Sequence, residues 1–177
     1  MSTASRKTRA IAAGGAVIGL GVAMTLAAWT DSEFARGQFS TANFGIQGAA
    51  GDNQFGDHAT EGEALALQFN ANTNLQPGQT VFQAYQLKNI DGGVDSTVTF
   101  ANENKTGELG NSLTAEIIDA ASCDANTTGA VINQGNTFDL IGQTAKNLCI
   151  KVRVADDYDG QNQTGDIVWE FTAEPKK

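Results

Sequence analysis

The chain holds one histidine, two cysteines and two prolines, and its 11 bases are outnumbered by 20 acids. Each shortage narrows the function. The lone His58 leaves no second imidazole for a zinc pair and no His-Glu-x-x-His motif, which argues against zinc-dependent proteolysis of the usual kind. A serine or cysteine nucleophile would have to share that one histidine, and no signature surrounds it. Two cysteines cannot hold a metal without further ligands, and His58 lies far from both in sequence. The scarcity of bases gives a formal charge of −9, which disfavours nucleic acid and anionic lipid as partners because both would be repelled. Neither a long helical period nor a low-complexity tail is present. The expectation is a protein that is not an enzyme and carries no cofactor.

What the chain does have begins with a basic head, Arg6, Lys7 and Arg9, and no acid precedes Asp31. Residues 10–28 are uncharged and rich in Ala, Gly, Val, Ile and Leu. At about 1.5 Å per residue such a run just crosses a ~30 Å hydrocarbon core. Its glycines and small-residue ending are those of a cleaved signal peptide. Cleavage between Ala27 and Ala28 places Thr25 and Ala27 at the two small-residue positions that a signal peptidase reads. The other reading is a retained anchor, but no charged stop follows Ala28 on the basic side. The expected organisation is therefore a signal peptide over 1–27 and one secreted domain over 28–177. The membrane is met only through the signal segment before cleavage, and losing the three bases makes the mature chain still more acidic.

Beyond residue 38, turn residues recur between short apolar runs, the pattern of an all-β domain. Phe39, Phe44 and Ile46 mark a first strand, and the polar, Gly-rich stretch 48–63 a surface loop. Leu65, Leu67 and Phe69 alternate with small or polar residues, so one face of a strand is buried. Pro77 and Gly78 suit the centre of a type II turn. Val81, Tyr85 and Leu87 continue with period two over 80–90. Asp91-Gly-Gly then turns the chain towards Val98 and Phe100. A turn over 107–110 precedes Leu113, Ala115 and Ile117, and Phe138 and Leu140 lie on a further short strand. The clearest alternation sets Leu148, Ile150, Val152 and Val154 against Cys149, Lys151 and Arg153. Ile167, Trp169, Phe171 and Ala173 form the last strand. Eight or nine strands of this kind predict two packed antiparallel sheets, a sandwich of jelly-roll type.

An even cysteine pair in an exported protein is most simply a disulfide, Cys123 with Cys149. The alternation puts Cys149 on the face opposite the core, so the bridge should pin a loop over the outer surface. Asp156, Asp157 and Asp159 set three carboxylates in one turn. They form a weak calcium candidate that lacks the ligand ladder of a twelve-residue loop, and a solvated acidic hairpin accounts for them as well. The acids of the long loop, among them Asp57, Glu61 and Glu63, read the same way.

Two stretches carry a resemblance. Thr25-Leu-Ala-Ala-Trp-Thr-Asp-Ser-Glu-Phe followed by Phe39-Ser-Thr-Ala-Asn-Phe-Gly-Ile resembles the start of the TasA/camelysin family of bacterial secreted proteins. Leu75-Gln-Pro-Gly-Gln-Thr-Val with Leu87-Lys-Asn is similar to that family's Pro-Gly turn and following strand. The resemblance implies processing by a dedicated, SipW-type signal peptidase and a β-sandwich fold. It also implies self-association, in which Trp29, Asp31 and Phe34 of the freed N-terminus enter the next subunit's sheet and build a biofilm-matrix or cell-surface fibre. Residues 28–38 would be the donor segment, with main-chain bonds supplying affinity and alternate side chains filling pockets; the alternative is an edge segment in which Trp29 and Phe34 cover the protein's own sheet edge or core. The competing expectation is a monomeric surface module that binds a glycan or a protein. Phe55 and Tyr158 are the main loop aromatics available to it.

Overall fold

The computed structural model of the chain describes residues 33–38, 41, 43–51, 54–69 and 74–177. The expected signal segment, the Ala27/Ala28 junction, Trp29, Asp31 and Phe39 lie outside the described residues. Thr41–Lys177 make one body, and Met1–Ser40 belong to a separate unit. Within that separate unit, residues 33–38 belong to no helix or strand, and every one of them is exposed.

The body is built from β1 (Ile46–Ala50), β2 (Thr80–Asn89), β3 (Ser96–Thr106), the short helix α1 (Gly107–Asn111), β4 (Leu113–Asp119), β5 (Ala130–Ile132), β6 (Thr137–Leu140), β7 (Lys146–Val154) and β8 (Asp166–Pro175). Five strands form one sheet in the order β1-β2-β7-β4-β5, and three form the other in the order β6-β3-β8. Every pair is antiparallel. The expected two-sheet sandwich is the observed fold. The run β2-β7-β4-β5 opposite β8-β3-β6 follows the jelly-roll order. In that order the strand before β2 crosses over to lie beside β8. Here β1 folds back onto β2 instead, and among the described residues β8 pairs only with β3.

Side-chain alternation explains which face of each strand turns inward. On β7, Leu148, Ile150, Val152 and Val154 are buried at the centre of the larger sheet, while Lys151 and Arg153 point out. They pack with Val81 and Leu87 of β2 and with Leu113 and Ile117 of β4, and Val98, Phe100 and Leu140 come from the facing sheet. The turn at Pro77-Gly78 is as expected: Gly78 has φ of 74°, and Gln79 N donates to Gln76 O at 2.9 Å. Only a residue without Cβ holds that φ cheaply.

The disulfide joins Cys123 to Cys149 with Cα atoms 5.0 Å apart. Cys149 faces away from the core, as the alternation requires, yet it is wholly buried. The 120–129 loop carries Cys123 back over this outer face. Gly129, at the loop's end, lies against the Ile118 side chain, and Ile118 is Cys149's cross-strand neighbour.

Four expectations need correcting. Of the first strand expected around Phe39, Phe44 and Ile46, Ile46 opens the observed strand Ile46–Ala50, while Phe44 is 41% exposed and lies outside it. Residues 48–50, expected to begin the loop, pair instead with residues 85–87 of β2. Residues 107–110 fold as part of a helix rather than as a simple turn. Residues 65–69 show the expected alternation of exposure but belong to no strand. β5 was not anticipated, because a three-residue strand with only Ile132 buried leaves no period to read.

Candidate functional site: the unpaired edge of β8

Each sheet has two edge strands. At one edge of the larger sheet, β1 is covered by the following loop, since Gly48 and Gly56 exchange both main-chain hydrogen bonds at 3.0 Å. β5 and β6, with three and four residues, are too short to template much pairing. β8 differs from all three. It runs ten residues and is laddered on one side to β3. Among the described residues, no strand pairs with its other side.

The face that β8 turns inward is aromatic. Phe171 stands 5.5 Å from Phe100, 5.9 Å from Tyr85 and 6.5 Å from Phe138, measured between ring centroids. Trp169 donates its indole N–H to Glu103 Oε2 at 2.9 Å. Glu103 is in turn paired to Lys105 at 3.0 Å, and Lys105 Nζ crosses to the Leu113 carbonyl of the facing sheet at 2.9 Å. A bulge in β3 between Phe100 and Asn102 changes the register and lets Glu103 meet Trp169 on the same side. Ile167, Trp169, Phe171 and Ala173 are only partly buried, although all four pack against the core. Apolar side chains left half-open along an unladdered edge are what an added strand would cover.

Residues 65–69 reach this edge strand through Phe69, whose ring meets that of Trp169. Leu65, Leu67 and Phe69 are half-buried while Ala64, Ala66 and Gln68 are exposed. Leu67 and Phe69 pack on the core, and the Phe69 ring is 6.3 Å from that of Trp169.

The remaining candidates fall elsewhere. Phe34 is 93% exposed. Asp156 is held by Arg153 at 2.6 Å, and among the described residues no three His, Cys, Asp or Glu side chains converge on a common point. Asp156, Asp157 and Asp159 are not gathered into such a group. His58 is half-buried in the loop after β1. Phe55 is half-buried under Lys88, whose ammonium lies 4.7 Å from the ring centre. Tyr158 packs against the core, its hydroxyl has no hydrogen-bond partner among the described residues, and burial pushes its pKa up, with Glu108 and Asp159 adding to the rise. No helix among the described residues is long and apolar enough to cross a membrane.

Two polar features escaped the sequence reading. One is the Glu103–Trp169–Lys105 tie. The other is a wholly buried pair, Asn89 and Ser96, at the opposite end of the sandwich. Both consist of polar residues on strands, which periodicity alone assigns to the outer face. The chain is thus an all-β sandwich with jelly-roll strand order, stapled by one disulfide. No family model matches it, and no curated protein does.

Proposed function

We propose that the protein is a secreted, non-enzymatic structural subunit of an extracellular-matrix or cell-surface fibre. Its mature N-terminus, residues 28–38, adds as a strand to the next copy. The observation that carries this reading is the ten-residue β8 edge, unladdered on one side at the place where jelly-roll order calls for one more strand. The edge supplies main-chain donors and acceptors, and the half-buried Ile167, Trp169, Phe171 and Ala173 supply the pockets. The donor side is supported by residues 33–38, which are exposed, belong to no helix or strand and include Phe34. It is supported also by the TasA-like start of the chain, in which a dedicated signal peptidase cutting between Ala27 and Ala28 frees Trp29 and Asp31. Processing would then gate assembly, and the disulfide suits an oxidising location outside the cell. A monomeric binding module has less support, because Phe55 and Tyr158, the loop aromatics it would present, are both half-buried.

Electron microscopy of the mature chain, together with N-terminal sequencing, tests the proposal. The expected result is ordered filaments of a product beginning at Ala28, and their loss when residues 28–34 are deleted. Filaments formed equally well by the deletion variant would rule out the N-terminus as donor. A mature chain that stays monomeric under all conditions would leave the binding module.

A further inference from the structure

Residues 64–69 have the placement of a strand without its bonds. They directly precede β2 in the chain, as the strand beside β8 does in a jelly roll, and their apolar side chains alternate into the core next to Trp169. Yet among the described residues no main-chain hydrogen bond is made from residue 65 to residue 69, and β8 is laddered only to β3. The side chains are seated and the backbone is not zipped.

We infer that residues 64–69 are a strap over the β8 edge, which an N-terminal strand from a second copy of this chain displaces. The inference rests on the proposed strand addition and names what controls it. Among the described residues, displacement breaks no main-chain bond of residues 65–69, and only Ala64 N–H is tied, to Glu61 O within its own loop at 3.2 Å, whereas the incoming strand gains a ladder along β8. What holds the strap is the packing of Leu67 and Phe69, with Leu65 half-buried beside them. The occupant is a second copy because this chain carries its own candidate donor, the exposed residues 33–38, which belong to no helix or strand and hold Phe34 at 93% exposure. Phe34 enters the pocket face in one register. Trp29, five positions away, then lies on the opposite face of a straight strand, so the strand sets one aromatic, not both, into the β8 pockets. The strap keeps the half-open pockets occupied until a donor arrives, which protects an edge that would otherwise pair with any extended chain.

The test uses the mature chain lacking residues 28–34, which can accept but not donate, and a fluorescent peptide of residues 28–38 as probe. Fluorescence anisotropy measures the affinity with the strap intact and with Leu67→Ala/Phe69→Ala. A competing internal state raises the apparent dissociation constant by the inverse of the open fraction. The weakened strap should therefore bind the peptide about ten-fold more tightly. Phe69→Leu keeps an apolar anchor and serves where the double variant does not fold; it should shift affinity in the same direction by a smaller factor. Equal or weaker binding by a folded strap variant would overturn the strap and leave strand addition standing. Absence of peptide binding to every acceptor would overturn strand addition itself, and the strap with it.

Discussion

The Ser96 hydroxyl donates to Asn89 Oδ1 at 2.6 Å, and both residues are wholly buried. Asn89 closes β2 in the larger sheet, and Ser96 opens β3 in the smaller one. The Asn89 amide also donates to the carbonyls of Leu140 at 3.0 Å and Gly142 at 2.9 Å, at the end of β6. One side chain thereby joins three strands across the two sheets. Asn89→Leu would orphan two carbonyls and a hydroxyl, each costing about 1–3 kcal/mol if left unsatisfied. The expected loss is about 3–5 kcal/mol in urea unfolding. Ser96→Ala should cost about 1–2 kcal/mol, and the double variant less than the sum, since the two share a bond. Additive losses would mean that the pair is not coupled.

The disulfide spans a sequence separation of 26. Chain-entropy reasoning assigns such a loop about 3.5 kcal/mol of stabilisation. Because Cys149 is completely buried and Cys123 is not, the bridge should be removed with Cys123→Ser and Cys149→Val. A hydroxyl at position 149 would add its own burial penalty. Denaturant titration of that variant should show a loss near 3 kcal/mol, and a reducing agent should lower the wild-type midpoint to the same extent. A reductant that leaves the midpoint unmoved would mean the bridge contributes nothing.

Burial pushes the Tyr85 hydroxyl up to about 12. Between about pH 10 and pH 12 the unfolded chain has lost this proton and the folded chain keeps it. The tyrosine's contribution is therefore complete below pH 10 and falls as pH rises through that window. A shift of this size corresponds to on the order of 2–3 kcal/mol. Unfolding free energy should decline across the window in the wild type and decline less in Tyr85→Phe. The same ring explains a glycine. Gly48 lies directly under the Tyr85 hydroxyl, and a methyl group there would collide with it. Gly48→Ala should cost about 1–3 kcal/mol, and Tyr85→Phe should relieve part of that cost.

How much of this was legible depended on whether side chains or backbone carried the information. The inward set on β7 and the outward Cys149 could be read because alternation is a side-chain property. Residues 65–69 show the limit of that signal: Leu65, Leu67 and Phe69 gave the correct face, but a ladder is made by main-chain groups that the sequence does not display. The same applies to β1, where Gly48, Ala49 and Ala50 pair through their backbone while the conspicuous Phe44 stays outside. Asn89 was invisible because an asparagine on a strand reads as solvent-facing until its partners from β3 and β6 are seen beside it. The open edge of β8 could not be foreseen either. It depends on which strands are neighbours, and periodicity says nothing about order.

Charge sets the last expectation. β8 carries Asp166, Glu170 and Glu174, all exposed, and the donor segment carries Asp31 and Glu33 near Phe34. A strand laid along this edge brings like charges together, and Arg36 offsets only one of them. Screening shortens the reach of that repulsion from about 30 Å at 0.01 M salt to about 8 Å at physiological ionic strength. Filament growth should therefore accelerate with added salt, by about ten-fold over that range, as light scattering of the mature chain would record. Glu170→Lys should grow faster at low salt and lose much of the salt dependence, because a base then faces the acidic donor. Growth that slows as salt is added, or a Glu170→Lys filament with unchanged salt response, would place the contact away from β8. Glu170 is the residue to choose because it points away from the core opposite Asn102, so the substitution changes the edge's charge and not its packing.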